Sequence, residues 1–206
     1  MKNIVLLFML MLLSCNSKKE NLIRQKESIN IIQTIIDQKG IEIVKDLSTE
    51  SELPICLNLK KILVNNKCFV ETKTNDKIRS IKLPEKTFTN EGEVCIEKIY
   101  KSNPIENIFF LKNDSLDILN QNETFKTFKI PKSIVGKFKT IEQTKNNKIA
   151  EKYIQFSIPI FSTDSTKAYI EFDHYSNNDS SYGNSIFVEK RNGKWNIKYV
   201  EANWSI

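Results

Sequence analysis

Histidine is nearly missing from this chain: His174 is the one imidazole in 206 residues. With it alone, neither a three-histidine metal site nor a two-cysteine, two-histidine site can be assembled. Any Ser/His or Cys/His nucleophile pair would have to use His174 itself. Glycine is almost as scarce. The five glycines stand at 40, 92, 136, 183 and 193, too scattered for a G-x-G-x-x-G turn or a phosphate-cradling loop. No G-x-S-x-G or H-E-x-x-H occurs, which removes the nucleophile-elbow and zincin patterns. No cofactor and no metal site is expected. Long apolar runs are also lacking: the ten residues Ile4 to Leu13 fall short of the roughly 20 needed to cross a bilayer core of about 30 Å.

That short run is nevertheless informative. Lys2 precedes it and the small residue Ser14 follows, the layout of an export signal. Leu12-Leu13-Ser14-Cys15 resembles the bacterial lipobox, in which the cysteine becomes the acylated first residue of the mature protein. The resemblance implies that residues 1–14 are a signal peptide, that Cys15 is the lipidation site, with palmitate-like acyl chains, and that residues 15–20 form a tether. Residues 21–206 then make one globular domain, a length that supports a proper core without requiring two. Lys, Asn and Ile number 28, 22 and 29 against three Arg, a bias similar to AT-rich coding in Bacteroidota. Asn16, where an inner-membrane lipoprotein carries Asp, implies the outer membrane, with its face undecided.

Hydrophobic content of 40% with 27% charged residues describes a folded soluble domain. The formal charge of +6 becomes +5 without Lys2. Because cations are interspersed with 25 acids and the chain reads as exported, anionic envelope lipid or polysaccharide is the expected partner and nucleic acid is not. Thr124 to Ile141 departs from that mixture. It carries Lys126, Lys129, Lys132, Lys137 and Lys139 with Phe125, Phe128 and Phe138 interleaved and no acid, so these lysines are the candidate contacts to an anionic surface.

The hydrophobic period predicts an amphipathic helix over Asn21 to Lys39, with Leu22, Ile29, Ile32 and Ile36 widened by Ile31 and Ile35, ended by Gly40. This stripe must be buried, on the domain or on a second copy. After Pro54 the pattern turns to short strands: Leu57 to Val64 and Lys67 to Thr72 around Asn65-Asn66, then Ile78 to Leu83, Val94 to Tyr100 and Ile105 to Leu111. If Asn65-Asn66 is the turn, Cys56 lies out of reach of Cys68, since bridged Cα atoms come within about 7 Å. Cys95 then bridges one of them, or all three thiols stay reduced. Asp114 and Ser115 could cap a short helix carrying Leu116 and Leu119.

Tyr153 to Pro159, Lys167 to Tyr175, Ser185 to Arg191 and Lys194 to Trp204 read as four antiparallel strands, the last pair closed by Asn192-Gly193. Trp195, Ile197 and Tyr199 alternate, then Val200, Ala202 and Trp204 continue in the other phase, which a β-bulge near Tyr199-Val200 would reconcile. Ile170, Phe172, Phe187, Trp195 and Ile197 are expected to share one core. The fold class is therefore α+β: an N-terminal amphipathic helix packed on a mainly antiparallel sheet that ends in a four-stranded antiparallel meander.

Pro159-Ile160-Phe161-Ser162, Asp164, Ala168, Gly183, Asn192-Gly193-Lys194-Trp195 and Trp204-Ser205 resemble the C-terminal pattern of uncharacterised Bacteroidota lipoproteins, although here no residue separates Trp204 from Ser205. The resemblance implies a fold and an address, with no activity attached. Two candidate chemistries remain. Glu171 and Asp173 share a strand face at about 6.6 to 6.8 Å, within the range of paired glycosidase carboxylates, although a solvated sheet face explains them as well. Trp195, Tyr199 and Trp204 could stack on a sugar, or simply fill a core. The chain reads as a non-enzymatic binding or accessory module held at a membrane through Cys15. The alternatives are an immunity-type lipoprotein that blocks a partner protein and a hydrolase using Glu171, Asp173 and His174. Oligomeric state is left open.

Overall fold

The computed structural model describes residues 2–45, 51–66, 93–100, 108–124, 126–142, 152–176 and 182–205, and of residues 2–20, 93, 122, 176 and 203–205 the backbone alone. Helix α1 runs from Lys2 to Val44, so it starts before Asn21, takes in the expected tether, and passes through Gly40. Ile31, Ile32, Ile35, Ile36, Ile43 and Val44 are buried at the i, i+4 spacing of one helix face. β-Branched residues are indifferent helix formers, so it is this buried stripe that holds the helix. Ser28 joins the stripe because its hydroxyl donates to the Arg24 carbonyl at 2.8 Å. Gly40 is not a helix end. A Cβ there would stand 2.7 Å from Phe138 Cε2, so the glycine makes room for an aromatic ring. Among the described residues no helix is long and apolar enough to cross a membrane.

The sheet is built from β1 (Ile55–Lys60), β4 (Thr140–Ile141), β5 (Lys152–Ser157), β6 (Ile160–Phe161), β7 (Lys167–Ser176), β8 (Tyr182–Arg191) and β9 (Lys194–Ser205). Its order among the described residues is β4-β1-β5-β7-β8-β9, with β6 on β7. The β5-β7-β8-β9 part is the four-stranded antiparallel meander. β1 pairs parallel with both β4 and β5, so the whole is mixed. Asn192 and Gly193 have φ of 50° and 75°, the left-handed pair that a two-residue hairpin needs.

α1 covers one face, where Ile55, Leu57, Ile154, Phe156, Ile170, Phe172, Ile186, Val188 and Trp195 form the main core. The other face is apolar at one end only. There Tyr169 and Phe187 meet Ile62, Val64, Val94, Ile99, Phe110 and Ile118. Phe187 therefore leaves the core expected for it, because β8 alternates Ile186 and Val188 toward α1 with Ser185 and Phe187 away from it. β9 has a bulge near Tyr199-Val200: Val188 pairs with Ile197 and Phe187 with Tyr199, so the extra residue is Lys198, and a second, Asn203, lies between Ala202 and Trp204.

The middle of the chain departs most from expectation. Leu57 to Val64 is interrupted after Lys60, and β2 (Leu63–Asn65) pairs parallel with β3 (Glu93–Cys95) in a separate small sheet. Asn65 is thus a strand residue opposite Cys95. Val94 to Tyr100 becomes the end of β3 and then α2 (Ile96–Tyr100). Residues 108–111 form no strand; Lys67 to Thr72, Ile78 to Leu83, residues 105–107 and Cys68 lie outside the described residues. A 3₁₀ turn at Lys112–Asp114 leads into α3 (Ser115–Thr124). Asp114 accepts from Leu111 N–H at 2.8 Å and Thr163 N–H at 3.0 Å. α3 buries Ile118 and Gln121 and leaves Leu116 exposed. Cys95 is disulfide-bonded, whereas Cys56 is buried and in no disulfide, so Cys95 is not bridged to Cys56.

Candidate functional site

On β7, period-two alternation sets Tyr169, Glu171, Asp173 and Tyr175 on the face away from α1. Lys60 of β1, Gln155 and Ser157 of β5 and Ser185 of β8 join them there. Glu171, Asp173, Gln155, Ser157 and Ser185 are all buried, so the two acids are not a solvated sheet face. The sheet's second layer lies over that face, which the alternation alone could not show.

The cluster is organised around one ammonium. Lys60 Nζ lies 3.5 Å from Glu171 Oε2 and also donates to Asp173 Oδ2. The Tyr169 hydroxyl donates to Glu171 Oε1 at 2.5 Å and sits 2.8 Å from Ser185 Oγ; with its single proton committed to the carboxylate, it accepts from Ser185. Tyr175 OH donates to Asp173 Oδ2 at 3.3 Å, and Ser157 Oγ accepts from Glu171 N–H at 2.8 Å. Gln155 Nε2 donates to the Asn58 carbonyl at 2.8 Å. Burial pushes the Glu171 carboxyl up, against the opposing pull of Lys60 and the Tyr169 hydrogen bond. Nearby Lys98 is pushed down by its own burial, while Glu171 and Glu201 work in the other direction.

The space between the two carboxylates, where a hydrolytic water or a sugar oxygen would act, contains Lys60 Nζ. His174 is not with them. It follows Ala168, Ile170 and Phe172 onto the α1 face, buried and stacked on Tyr182 with ring centroids 4.1 Å apart. The sheet thus separates the imidazole from the acids, and the Glu171, Asp173, His174 trio is not assembled. The cluster ties β1, β5, β7 and β8 together through buried, hydrogen-bonded charge.

The chain matches no family model, no curated protein and no solved structure.

The aromatic platform also comes apart. Trp195 is buried against Phe161 on the α1 side, and its indole N–H donates to Glu27 Oε2 at 2.7 Å, the same oxygen that Lys190 Nζ reaches at 2.8 Å. Tyr199 packs on the other face near Phe109, and the side chain of Trp204 lies outside the described residues. Burial alone would raise the Glu27 carboxyl; the hydrogen bonds from Lys190 and Trp195 outweigh it and the net shift is downward.

Lys126, Lys129, Lys132, Lys137 and Lys139 are all exposed. They follow the sheet edge formed by β4 and the short helix α4 (Lys132–Val135). Phe128 and Phe138 pack on the main core, and Phe125 lies outside the described residues. Lys129 pairs with Glu142 at 2.5 Å. The segment is therefore a solvated cationic edge with its described rings turned inward, and a shallow groove of ≈ 500 Å³ separates Ile134–Phe138 from the outer side of α1 around Asp37 and Glu42. Cys15 falls within α1; its side chain lies outside the described residues. Sequence reasoning missed Lys60, Gln155, Ser157 and Ser185. The available signal was the interruption of apolar strands by small polar residues, Ser157 and Ser185, in phase with Glu171.

Proposed function

We propose that this protein is an envelope lipoprotein, anchored through acyl chains on Cys15, whose domain of residues 21–206 acts as a non-enzymatic binding or accessory module. The observation that carries the reading is Leu12-Leu13-Ser14-Cys15 at the end of a ten-residue apolar run, too short to span a bilayer and placed as an export signal is. Several acyl chains give firm attachment, at about 0.8 kcal/mol per buried methylene. The disulfide at Cys95 supports an oxidising compartment outside the cytosol. The exposed lysines along the β4 edge support contact with anionic lipid or polysaccharide there, and Asn16 supports the outer membrane.

The experiment is Cys15→Ala in the full chain, expressed in a bacterium that processes lipoproteins. Incorporation of labelled fatty acid is expected to vanish and the protein to leave the membrane fraction. Retention at the parent level would remove the reading.

A further inference from the structure

One part of α1 is not covered by the domain. Leu22 and Ile23 are 67% and 54% exposed, whereas Ile31 is 0% exposed. Leu22 and Ile31 are nine residues apart, or about two and a half turns, so they stand on opposite sides of the helix. Positions 15, 18, 19, 22, 23 and 26 follow the i, i+3, i+4, i+7, i+8, i+11 pattern of a single face. That face carries Lys18, Lys19 and Lys26 and, from Cys15 to Lys26, no acid; Glu20 falls off it and Asp37 comes about three turns further along.

The rise along a helix makes the orientation a choice between two geometries. If α1 stood upright on its anchor, Leu22 would be raised about 10 Å above Cys15, beyond an interfacial layer of about 5 to 8 Å per leaflet. Two large apolar side chains would then remain in water. If it lies along the surface, the same face presents the anchor position, two apolar side chains and three cations to the headgroup boundary, where apolar burial and attraction to anionic lipid add.

We propose that the first three turns of the mature helix, Cys15 to Lys26, lie along the membrane surface, with Leu22 and Ile23 in the headgroup boundary and Lys18, Lys19 and Lys26 against anionic phospholipid. The inference rests on acylation of Cys15, and it holds the domain on the opposite side of the helix from the bilayer. The lipidated full chain would be reconstituted into vesicles containing an anionic phospholipid, with an environment-sensitive fluorophore on a single introduced cysteine: Leu22→Cys, Ile23→Cys or, as the control, the exposed Leu116→Cys. Cys56 is buried and Cys95 bridged, so the described native thiols do not compete for label. Lipid-borne quencher is expected to diminish emission at 22 and 23 and leave 116 unchanged. Glutamine at 18, 19 and 26 is expected to weaken quenching at 22. Equal emission loss at 22, 23 and 116, or none at any, in a protein whose Cys15 carries labelled fatty acid would overturn the surface-lying helix and leave the lipoprotein reading intact. Absence of the label from Cys15 would overturn both.

Discussion

Lys60→Met is the sharpest perturbation of the buried charge cluster. The lysine side chain is 10% exposed, and those of its partners Glu171 and Asp173 are 5% and 0% exposed. Removing one member of such a buried group leaves charge without its counter-ion, at a cost of about 3 to 5 kcal/mol. For a domain of this size each kcal/mol moves the melting temperature by about 2 to 4 °C, which gives a fall of about 6 to 20 °C. The measurement is thermal unfolding of the parent and variant by circular dichroism at pH 7. A second variant, Lys60→Met with Glu171→Gln and Asp173→Asn, removes the charges together and is expected to recover most of the loss. A pH series adds a sign. Burial already holds the Glu171 carboxyl above its ordinary 4.5, and removal of the cation pushes it higher. Between those two values the folded form binds the extra proton, so stability falls as pH rises. Acidification from pH 7 toward 4.5 should therefore narrow the gap between Lys60→Met and the parent. A variant that melts with the parent, or a gap that widens on acidification, would refute the account of the cluster.

Glu27→Gln tests the tie between α1 and the final hairpin: loss of charge-assisted hydrogen bonds to Lys190 and Trp195 should destabilise by about 1.5 to 3 kcal/mol at pH 7 in urea unfolding. Because the folded Glu27 carboxyl lies below its ordinary 4.5, the parent's advantage should be fully present above that pH and fade as pH falls below it. Gly40→Ala would add about 1 kcal/mol of stability in an open helix, yet here the methyl meets the Phe138 ring, so its melting temperature should drop, and Gly40→Ala with Phe138→Leu should recover; a rise in the single variant would contradict the contact. Glutamine at 126, 129, 132, 137 and 139 should abolish low-salt cosedimentation with anionic vesicles or polysaccharide, attraction screened over about 8 Å at physiological ionic strength. Lys129, already paired with Glu142, should contribute least; binding that survives all five substitutions would remove the cationic edge as a contact.

The C-terminal meander was legible because its signals are local. Alternation along β5, β7, β8 and β9 and the Asn192-Gly193 turn involve neighbours in sequence, and the structure keeps each strand within a few residues of expectation. The isoleucine stripe of α1 was legible for the same reason, although its end was misplaced: Gly40 has a C-terminal signature that is overridden by a ring 98 residues away in the chain. The middle was misread where strand and helix patterns overlap, since a short apolar run such as Ile96–Tyr100 has no period long enough to separate them.

The candidate site shows where sequence stops. By itself, the chain determined the short apolar run that ends at Ser14-Cys15, the α+β class and the hairpin register, because each depends on residues a few positions apart. Only tertiary structure decided that His174 and the Glu171/Asp173 pair occupy opposite faces under separate layers, and that Lys60, 111 and 113 residues from the two acids, is their counter-ion. Alternation assigns residues to two faces but cannot say which face is covered, and no local pattern encodes a contact made when a parallel strand is laid beside β5 by a long crossover.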